Sequence, residues 1–385
     1  EREFPGVSVG PEEKKMGIKG SSTRTLILEN AEVPVENLLG EKGRGHIIAF
    51  NILNVGRYKL AIGGVGGAKV ALEIATKYVN EREQFNQKIS SFTLTQGKLG
   101  TMAAAIYANE SAVYRTVGLF EQRMGSLTEE QLKDGREVAK AIAEYQIECS
   151  MNKFMCTELL DYVVDEAVQL HGGYGYMQEY EVERMYRDSR INRIFEGTNE
   201  INRLLVPGTL LKKALKGELP LLEKAQGMQE ELLMMMPTEI GDEPLELQKY
   251  LVKNAKKIVL LTAGLAAQKY MQKIEHEQEI LANLADMVAE IYNMESAILR
   301  TEKAINRDGF EKHRQKLLYT EVYVQEAFNR IEADAKEILI AVEEGDQLRM
   351  MLSALRKLTR HDPVNVIQKK REIAAKIIAE EKYVV

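Results

Sequence analysis

Met185-Tyr186-Arg187-Asp188-Ser189-Arg190-Ile191-Asn192-Arg193-Ile194-Phe195-Glu196-Gly197-Thr198-Asn199-Glu200-Ile201-Asn202-Arg203-Leu204 is the stretch that decides how this chain reads. It sets a carboxylate beside a glycine, directly ahead of a threonine placed to cap a helix start. A glutamate at such a junction is ordinarily a solvated or capping residue, so spacing alone does not make Glu196 a catalyst. The sequence on either side supplies the context.

Upstream, no proline occurs between Pro34 and Pro207, and apolar residues recur at helical spacing, which predicts long helices. The first is expected over about 46–80 and the second over about 93–122. A third starts at the capping box Thr128-Glu129-Glu130-Gln131. Its apolar face is Val138, Ala141, Ile142, Tyr145 and Cys149. It ends at His171-Gly172-Gly173, where paired glycines release the chain. A short helix over about 179–190, a break at Glu196-Gly197 and a helix from Thr198 complete the unit. The run Gly63-Gly64-Val65-Gly66-Gly67 follows no strand and has the wrong offset for a dinucleotide loop; it reads as close helix contact.

Downstream, Pro207, Pro220, Pro237 and Pro244, with Met234-Met235-Met236 among them, read as a linker. Beyond it Ile280, Leu284, Met287, Ile291, Met294 and Ile298 form one stripe of a long amphipathic helix. Four or five helices are expected in this tail, broken near Glu275, Arg307-Asp308-Gly309, Gly345 and Asp362-Pro363. At the other end, Thr23-Arg24-Thr25-Leu26-Ile27-Leu28-Glu29 carries the β signal, punctuated by Gly17, Gly20 and Ser21-Ser22 and closed by Pro34, Gly40 and Gly43. One or two strands cannot bury a core alone, so apolar edges around Leu26 are expected to be exposed.

Composition excludes several classes. The 385 residues are 45% hydrophobic and 29% charged with a net charge of −6, and the charges are interspersed, so no nucleic-acid face is expected. No apolar run is long enough to span a bilayer and no N-terminal signal pattern is present. Cys149 and Cys156 lack CxxC spacing and a His partner, so no metal site is expected; they read as free core thiols of a cytoplasmic protein.

The aromatic-Glu-Gly-Thr-polar pattern of Phe195 to Asn199 resembles that of the acyl-CoA dehydrogenase family, and four other blocks match in the family's order. Met16 to Ser21, through Val33 to Gly40, resembles the end of its middle β domain. Leu53-Asn54-Val55-Gly56-Arg57 resembles the helix lining the acyl and pantetheine channel. Arg82-Glu83-Gln84-Phe85 with Gln96, and Gln169-Leu170-His171-Gly172-Gly173-Tyr174-Gly175, resemble the segments that reach the FAD of a neighbouring subunit.

The resemblance implies a mostly α protein. The end of a β domain (1–40) is followed by a long-helix, four-helix-bundle type dehydrogenase domain (41–217), a linker (218–244) and an additional helical domain (245–385). Glu196 would remove the α-proton of a fatty acyl-CoA, its backbone N–H helping to hold the enolate oxygen. Asn54, Val55, Gly56, Arg57 and Gly197 would meet substrate, with Arg57 by the CoA. Arg82, Phe85, Gln96, Gln169, Leu170, His171, Gly172, Gly173, Thr198, Asn199 and Glu200 would hold FAD in a homodimer or dimer of dimers, and an electron-transfer flavoprotein would take the electrons.

Some members carry the base near Gly56; no carboxylate stands there, which leaves Glu196. The Ile52 to Arg57 wording and the tail resemble the very-long-chain branch, whose tail attaches to a membrane. Leu232 to Met236, flanked by Glu230, Glu231 and Glu239, is a poor match for a lipid-binding basic helix, so membrane contact is not expected. Asn86 replaces a glycine that usually follows the Arg82 block, a mild change because Asn tolerates a left-handed turn. The family's N-terminal helical domain and the first half of its β domain have no counterpart, and the chain starts Glu1-Arg2-Glu3-Phe4 without a methionine. The expectation is a truncated chain that binds FAD weakly and turns over little or nothing. An acyl-CoA oxidase and a non-catalytic helical assembly protein are the rival readings.

Overall fold

The computed structural model describes residues 1–385 except 222, 226, 229–239 and 242. The linker stretch Leu232 to Met236 therefore lies outside the described residues.

At the N-terminus β1 (Val7–Val9) pairs antiparallel with β2 (Leu26–Leu28). Two strands leave both faces unsupported, and Leu26 and Leu28 are 63% and 62% exposed, the apolar edge the sequence anticipates. This ribbon is anchored through Gly17. A Cβ there would lie 2.5 Å from the Arg187 carbonyl, while Asp188 accepts from the Ile18 N–H at 2.6 Å and Arg187 donates to the Met16 carbonyl at 3.1 Å.

The helices carry the fold. α1 (Gly45–Glu81) buries Asn54, Arg57, Ala61, Gly64, Ala68, Leu72, Ala75 and Val79 at three- and four-residue spacing, one continuous stripe. α2 (Thr93–Gly125) returns antiparallel after a hairpin of β3 (Glu83–Gln84) and β4 (Gln87–Lys88). The expected third helix is three pieces. α3 (Glu129–Lys133) begins at the capping box, with the Gln131 N–H donating to Thr128 Oγ1 at 3.2 Å. Asp134 then ends it and caps α4 (Gly135–Ala143), its carboxylate accepting from the Arg136 N–H at 2.8 Å. After Tyr145 comes α5 (Gln146–His171), which stops at Gly172 with φ +59°. α6 (Glu181–Ser189), a 3-10 turn over Arg190–Arg193 and α7 (Asn199–Leu215) follow.

Pro207, grouped with the linker prolines above, lies inside α7. Loss of one helical hydrogen bond is tolerated there because Val206 is fully buried and Leu210 packs beside it against Ala285 and Ala289. The tail forms α8 (Glu246–Tyr270), α9 (Gln278–Asp308), α10 (Arg314–Val342), α11 (Gly345–Thr359) and α12 (Val366–Glu380), with breaks where the sequence marks them. Ile280, Leu284, Met287, Ile291, Met294 and Ile298 are all buried.

The core runs unbroken from the α1–α7 unit into the tail. Tyr107 of α2 stacks on Tyr319 of α10 at 5.3 Å between centroids, and Asn293 of α9 bridges Asn109 and Tyr323 at 3.2 and 3.0 Å. Gly100 lets α12 approach so closely that a Cβ would meet the Lys370 carbonyl at 2.5 Å. α1 and α5 lie side by side and run the same way, with Gly64 against Cys156, Gly67 against Leu160, and Tyr78 stacked on His171 at 4.1 Å. Gly64 and Gly67 of the 63–67 run thus serve close helix contact, whereas Gly63 and Gly66 have nothing within 4 Å of their Cβ positions. Cys149 and Cys156 are buried free thiols, and burial pushes both thiols up.

Candidate active site

Two groups of residues gather at separate points along α1, one around Gly56 and Arg57 and one at its C-terminal end. The first surrounds Glu196. Gly197 has φ +82°, and Glu196 itself sits at φ +59°, a region that costs a non-glycine residue about 1–3 kcal/mol and persists only where surroundings impose it. Here three side chains impose it. Arg57 Nε donates to the Glu196 carbonyl at 3.1 Å. Lys153 Nζ donates to the Gly197 carbonyl at 2.8 Å, and Asn202 Nδ2 donates to the Gly197 and Thr198 carbonyls at 2.9 and 3.0 Å. Thr198 then caps α7, accepting from the Ile201 N–H at 3.3 Å.

The turn aims the Glu196 carboxylate at α1. A Cβ on Gly56 would lie 2.6 Å from Glu196 Oε2, 2.7 Å from Cδ and 2.9 Å from Oε1, so only glycine leaves room for the acid. Glu196 Oε2 is buried and has no hydrogen-bond partner within the chain. A buried carboxylate oxygen left unpaired is costly for stability alone, and it is available to something the chain does not supply. Asn54 lies one turn away and accepts from Arg57 Nη1 at 3.3 Å. Val55 points elsewhere, lining a cavity of about 650 Å³ with Leu39, Ile48, Ile52, Val138 and Ile142.

Two of the residues singled out in the sequence also make contacts within the chain that the sequence did not reveal. Arg57 is buried, and its Nε and Nη1 donate to the Glu196 carbonyl and to Asn54, so it helps hold the loop. Burial also draws its guanidinium below the usual range, against the opposing pull of Cys149 and Glu196. Asn199 is turned inward: its carboxamide binds Lys153 at 2.7 Å, Thr157 at 3.2 Å and Glu158 at 2.9 Å. These contacts lock α7 onto α5. Glu200 stays exposed in the first turn of α7, its carboxyl held low chiefly by a hydrogen bond from its own backbone N–H.

Sequence reasoning passed over Lys153, Asn202, Arg203 and Glu158. Arg203 binds Glu158 bidentately at 2.6 and 2.8 Å and Asp286 at 2.7 Å, tying α5, α7 and α9 together behind the loop. Lys153 is 0% exposed. The signal for it was available: it follows Cys149 by four residues and precedes Cys156 by three, a charge on an otherwise apolar stripe.

The second group stands at the far end of α1. Arg57 and Arg82 are 25 residues apart, about 37 Å along a helix axis. Arg82, Gln169, Leu170, His171, Gly172 and Gly173 line a cavity of about 670 Å³ together with Tyr78, Lys98 and Tyr174. Arg82 lies over the Tyr174 ring at 5.5 Å, and Lys98 pairs with Glu166. His171 is buried, its Nδ1 at 2.7 Å from the Ala167 carbonyl, and burial lowers its imidazole, favouring the neutral ring. Nothing lies within 4 Å of a Cβ position at Gly172 or Gly173, so their backbone is open to a ligand. Phe85 and Asn86 form the hairpin turn, with φ +51° and +61°, which leaves Phe85 86% exposed beside this cavity's rim residue Gln84. Gln96 donates to the Ser90 carbonyl at 3.2 Å. Among the described residues no cluster of His, Cys, Asp and Glu could hold a metal, and no helix is long and apolar enough to cross a membrane.

Two family models match, both described as acyl-CoA dehydrogenase, C-terminal domain, over residues 43–211 and 254–357. A probable acyl-CoA dehydrogenase of Bacillus subtilis (strain 168) is 70% identical over the whole chain, which covers 65% of that protein. The mouse very long-chain specific acyl-CoA dehydrogenase, mitochondrial, is 31% identical over 94% of this chain and 54% of its own length. A crystal structure of an acyl-CoA dehydrogenase complexed with FAD from Bacillus anthracis superposes with a TM-score of 0.98 at 71% identity, over 100% of this chain and 66% of that one. The chain therefore spans less than two thirds of these relatives' length. Matched along its whole length at this identity, and by family models over both helical units, the chain belongs to the acyl-CoA dehydrogenase family.

Proposed function

We propose that this chain carries the catalytic base and part of the cofactor site of an FAD-dependent enzyme that dehydrogenates fatty acyl-CoA thioesters between Cα and Cβ. The observation that carries the proposal is Glu196: a carboxylate in a left-handed turn, packed on a helix glycine, with a buried oxygen unpaired within the chain.

The residues fit the group they would hold. The Arg82 end offers a guanidinium, the Gln169 carboxamide and open glycine backbone around a cavity of about 670 Å³, a donor set suited to the phosphates and polar edges of FAD. When bound, FAD supplies the acceptor for the hydride lost from Cβ. Glu196 takes the proton from Cα, so that the C–H electron pair moves into the thioester as an enolate. The Glu196 backbone N–H lies on the same residue and donates to the thioester oxygen as charge develops there. A thioester seated over the loop would exclude water from the carboxylate, leaving the Cα proton as the partner for its unpaired oxygen. Arg57, Lys153 and Asn202 keep the carboxylate aimed at the channel side of α1.

The separation of about 37 Å between the two groups supports a shared arrangement. The Arg82 end would serve the FAD over the Glu196 loop of a second copy, making a homodimer the smallest working unit. An electron-transfer flavoprotein is the proposed electron acceptor, long-chain acyl groups are the proposed substrates, and fatty acid β-oxidation is the proposed setting.

The test is Glu196→Gln in the holoenzyme. Exchange of the α-proton of palmitoyl-CoA with D2O should fall at least about 1,000-fold, while FAD content and thioester binding persist. Exchange at the parent rate would refute the assignment.

A further inference from the structure

The carbonyls of Glu196, Gly197 and Thr198 are met in succession by Arg57, Lys153 and Asn202. Lys153 is the member of this set that packing cannot account for. Any aliphatic side chain would fill its place on α5 between Cys149 and Cys156, and an interior ammonium is costly unless its partners need it. It has two acceptors, the Gly197 carbonyl at 2.8 Å and Asn199 Oδ1 at 2.7 Å. The charged groups facing it are Arg57 from α1, which repels it, and Glu158 on α5, Glu196 in the loop and Glu200 on α7, which attract it.

We propose that Lys153 is a positioning residue for the deprotonation: by fixing the peptide plane after Gly197 against Asn199 at the start of α7, it sets the turn that aims the Glu196 carboxylate past Gly56. Arg57 fixes the plane before Gly197, so the glycine's torsions are held from both sides. Asn202 shares the Gly197 carbonyl, and together the two donors use both of its lone pairs. The inference rests on Glu196 being the base.

Burial and the nearby Arg57 draw the Lys153 ammonium from 10.5 down to about 8, so it is charged at neutral pH and loses its charge in mild alkali. A neutral amine still donates, but a charge-assisted hydrogen bond is roughly twice as strong.

Lys153→Met keeps the length and apolar volume and removes the donor. In the FAD-loaded holoenzyme, α-proton exchange of palmitoyl-CoA in D2O should slow by about 10- to 100-fold, as expected for a shift of up to ~1 Å at the reacting atom. KM and bound FAD should stay within about threefold of the parent. The parent's exchange rate should also decline above about pH 8, and that decline should vanish in Lys153→Met. Lys153→Gln, which retains a neutral donor, should fall between the two, and it carries the same test if Lys153→Met does not fold.

Exchange within about threefold of the parent in the folded variant, or a loss of FAD and KM in proportion to rate, overturns the proposal. Glu196→Gln run in parallel separates the two ideas. If it is inactive while Lys153→Met matches the parent, only the positioning role fails; if it exchanges at the parent rate, the base assignment fails and takes this inference with it.

Discussion

Replacing Gly56 by alanine separates the site from the scaffold. The added Cβ would lie 2.6 Å from Glu196 Oε2, whereas ordinary contact begins near 3.4 Å, so the carboxylate must retreat by about 0.8 Å. The atoms it meets are the end of a flexible side chain, so the backbone need not move. Stability should therefore be unchanged or slightly higher, since alanine in a helix interior is favoured over glycine by up to about 1 kcal/mol. A rise in Tm of no more than about 1–2 °C is expected. Rate should behave oppositely. A displacement approaching 1 Å at a reacting atom costs up to about 100-fold, so α-proton exchange should fall by one to two orders of magnitude at constant FAD content. Stopped-flow reduction under anaerobic conditions reads the chemical step, and thermal unfolding reads the scaffold. Exchange within about threefold of the parent would refute the placement of the chemistry between Gly56 and Glu196. A large drop in Tm would show that the glycine serves packing instead.

Two further outcomes follow from the charges behind the loop. Lys153 has a lower folded than unfolded pKa, so between about pH 8 and 10.5 the unfolded chain binds the extra proton; stability should rise with pH across this window, by at most about 3 kcal/mol, and the rise should be absent in Lys153→Met when urea midpoints are compared. Catalytic exchange should fall over the same range, a divergence that a purely structural lysine would not produce. Arg203→Met leaves Glu158 and Asp286 facing each other without their cation; because both carboxylates are partly exposed, a loss of about 3 kcal/mol, the low end for a broken buried pair, should appear in denaturant unfolding.

The fold was legible wherever local chemistry repeats or stops. A proline-free sequence with three- and four-residue apolar spacing made α1, α2 and α9 visible, and Gly309, Gly345 and Asp362-Pro363 marked the breaks of the tail. The split of the third helix carried one readable signal, Asp134-Gly135, where the aspartate caps α4. The second break, at Tyr145, has no capping side chain and was not readable. Nor was the continuity of the core, because the Tyr107–Tyr319 stack joins residues with no local relation in the sequence. At the site, Glu196, Gly56 and the His171-Gly172-Gly173 turn were legible as motifs. The internal hydrogen bonds of Arg57 and Asn199 were not, since their partners Glu196, Lys153 and Glu158 come from other elements of the fold. Lys153 was legible only as an anomaly, a charge on an apolar stripe whose partners lie 44 and 46 residues away.

The crossing of α1 and α5 links the two ends of the molecule. A Cβ on Gly64 would lie 2.6 Å from the Cys156 carbonyl oxygen and 3.0 Å from its carbon, and neither backbone can yield as a side chain can. Gly64→Ala should force the helices apart, costing about 1–3 kcal/mol for overpacking less the helix preference for alanine. Gly63→Ala, with nothing within 4 Å of its Cβ position, should be neutral or stabilising and serves as the control. Gly64 is eight residues from Gly56, about 12 Å along α1, and touches neither Glu196 nor the Arg82 cavity. Because α1 carries Gly56 and Arg57, and α5 carries Lys153 and His171, separating the helices should still disturb both groups. Gly64→Ala should lower α-proton exchange and FAD retention together, at a temperature where it remains folded. Loss of stability with both functions intact would mean that each site is held by its own loop. The parallel packing of α1 on α5 would then be only scaffold, and the clamp around Gly197 would have to account for the geometry of Glu196 by itself.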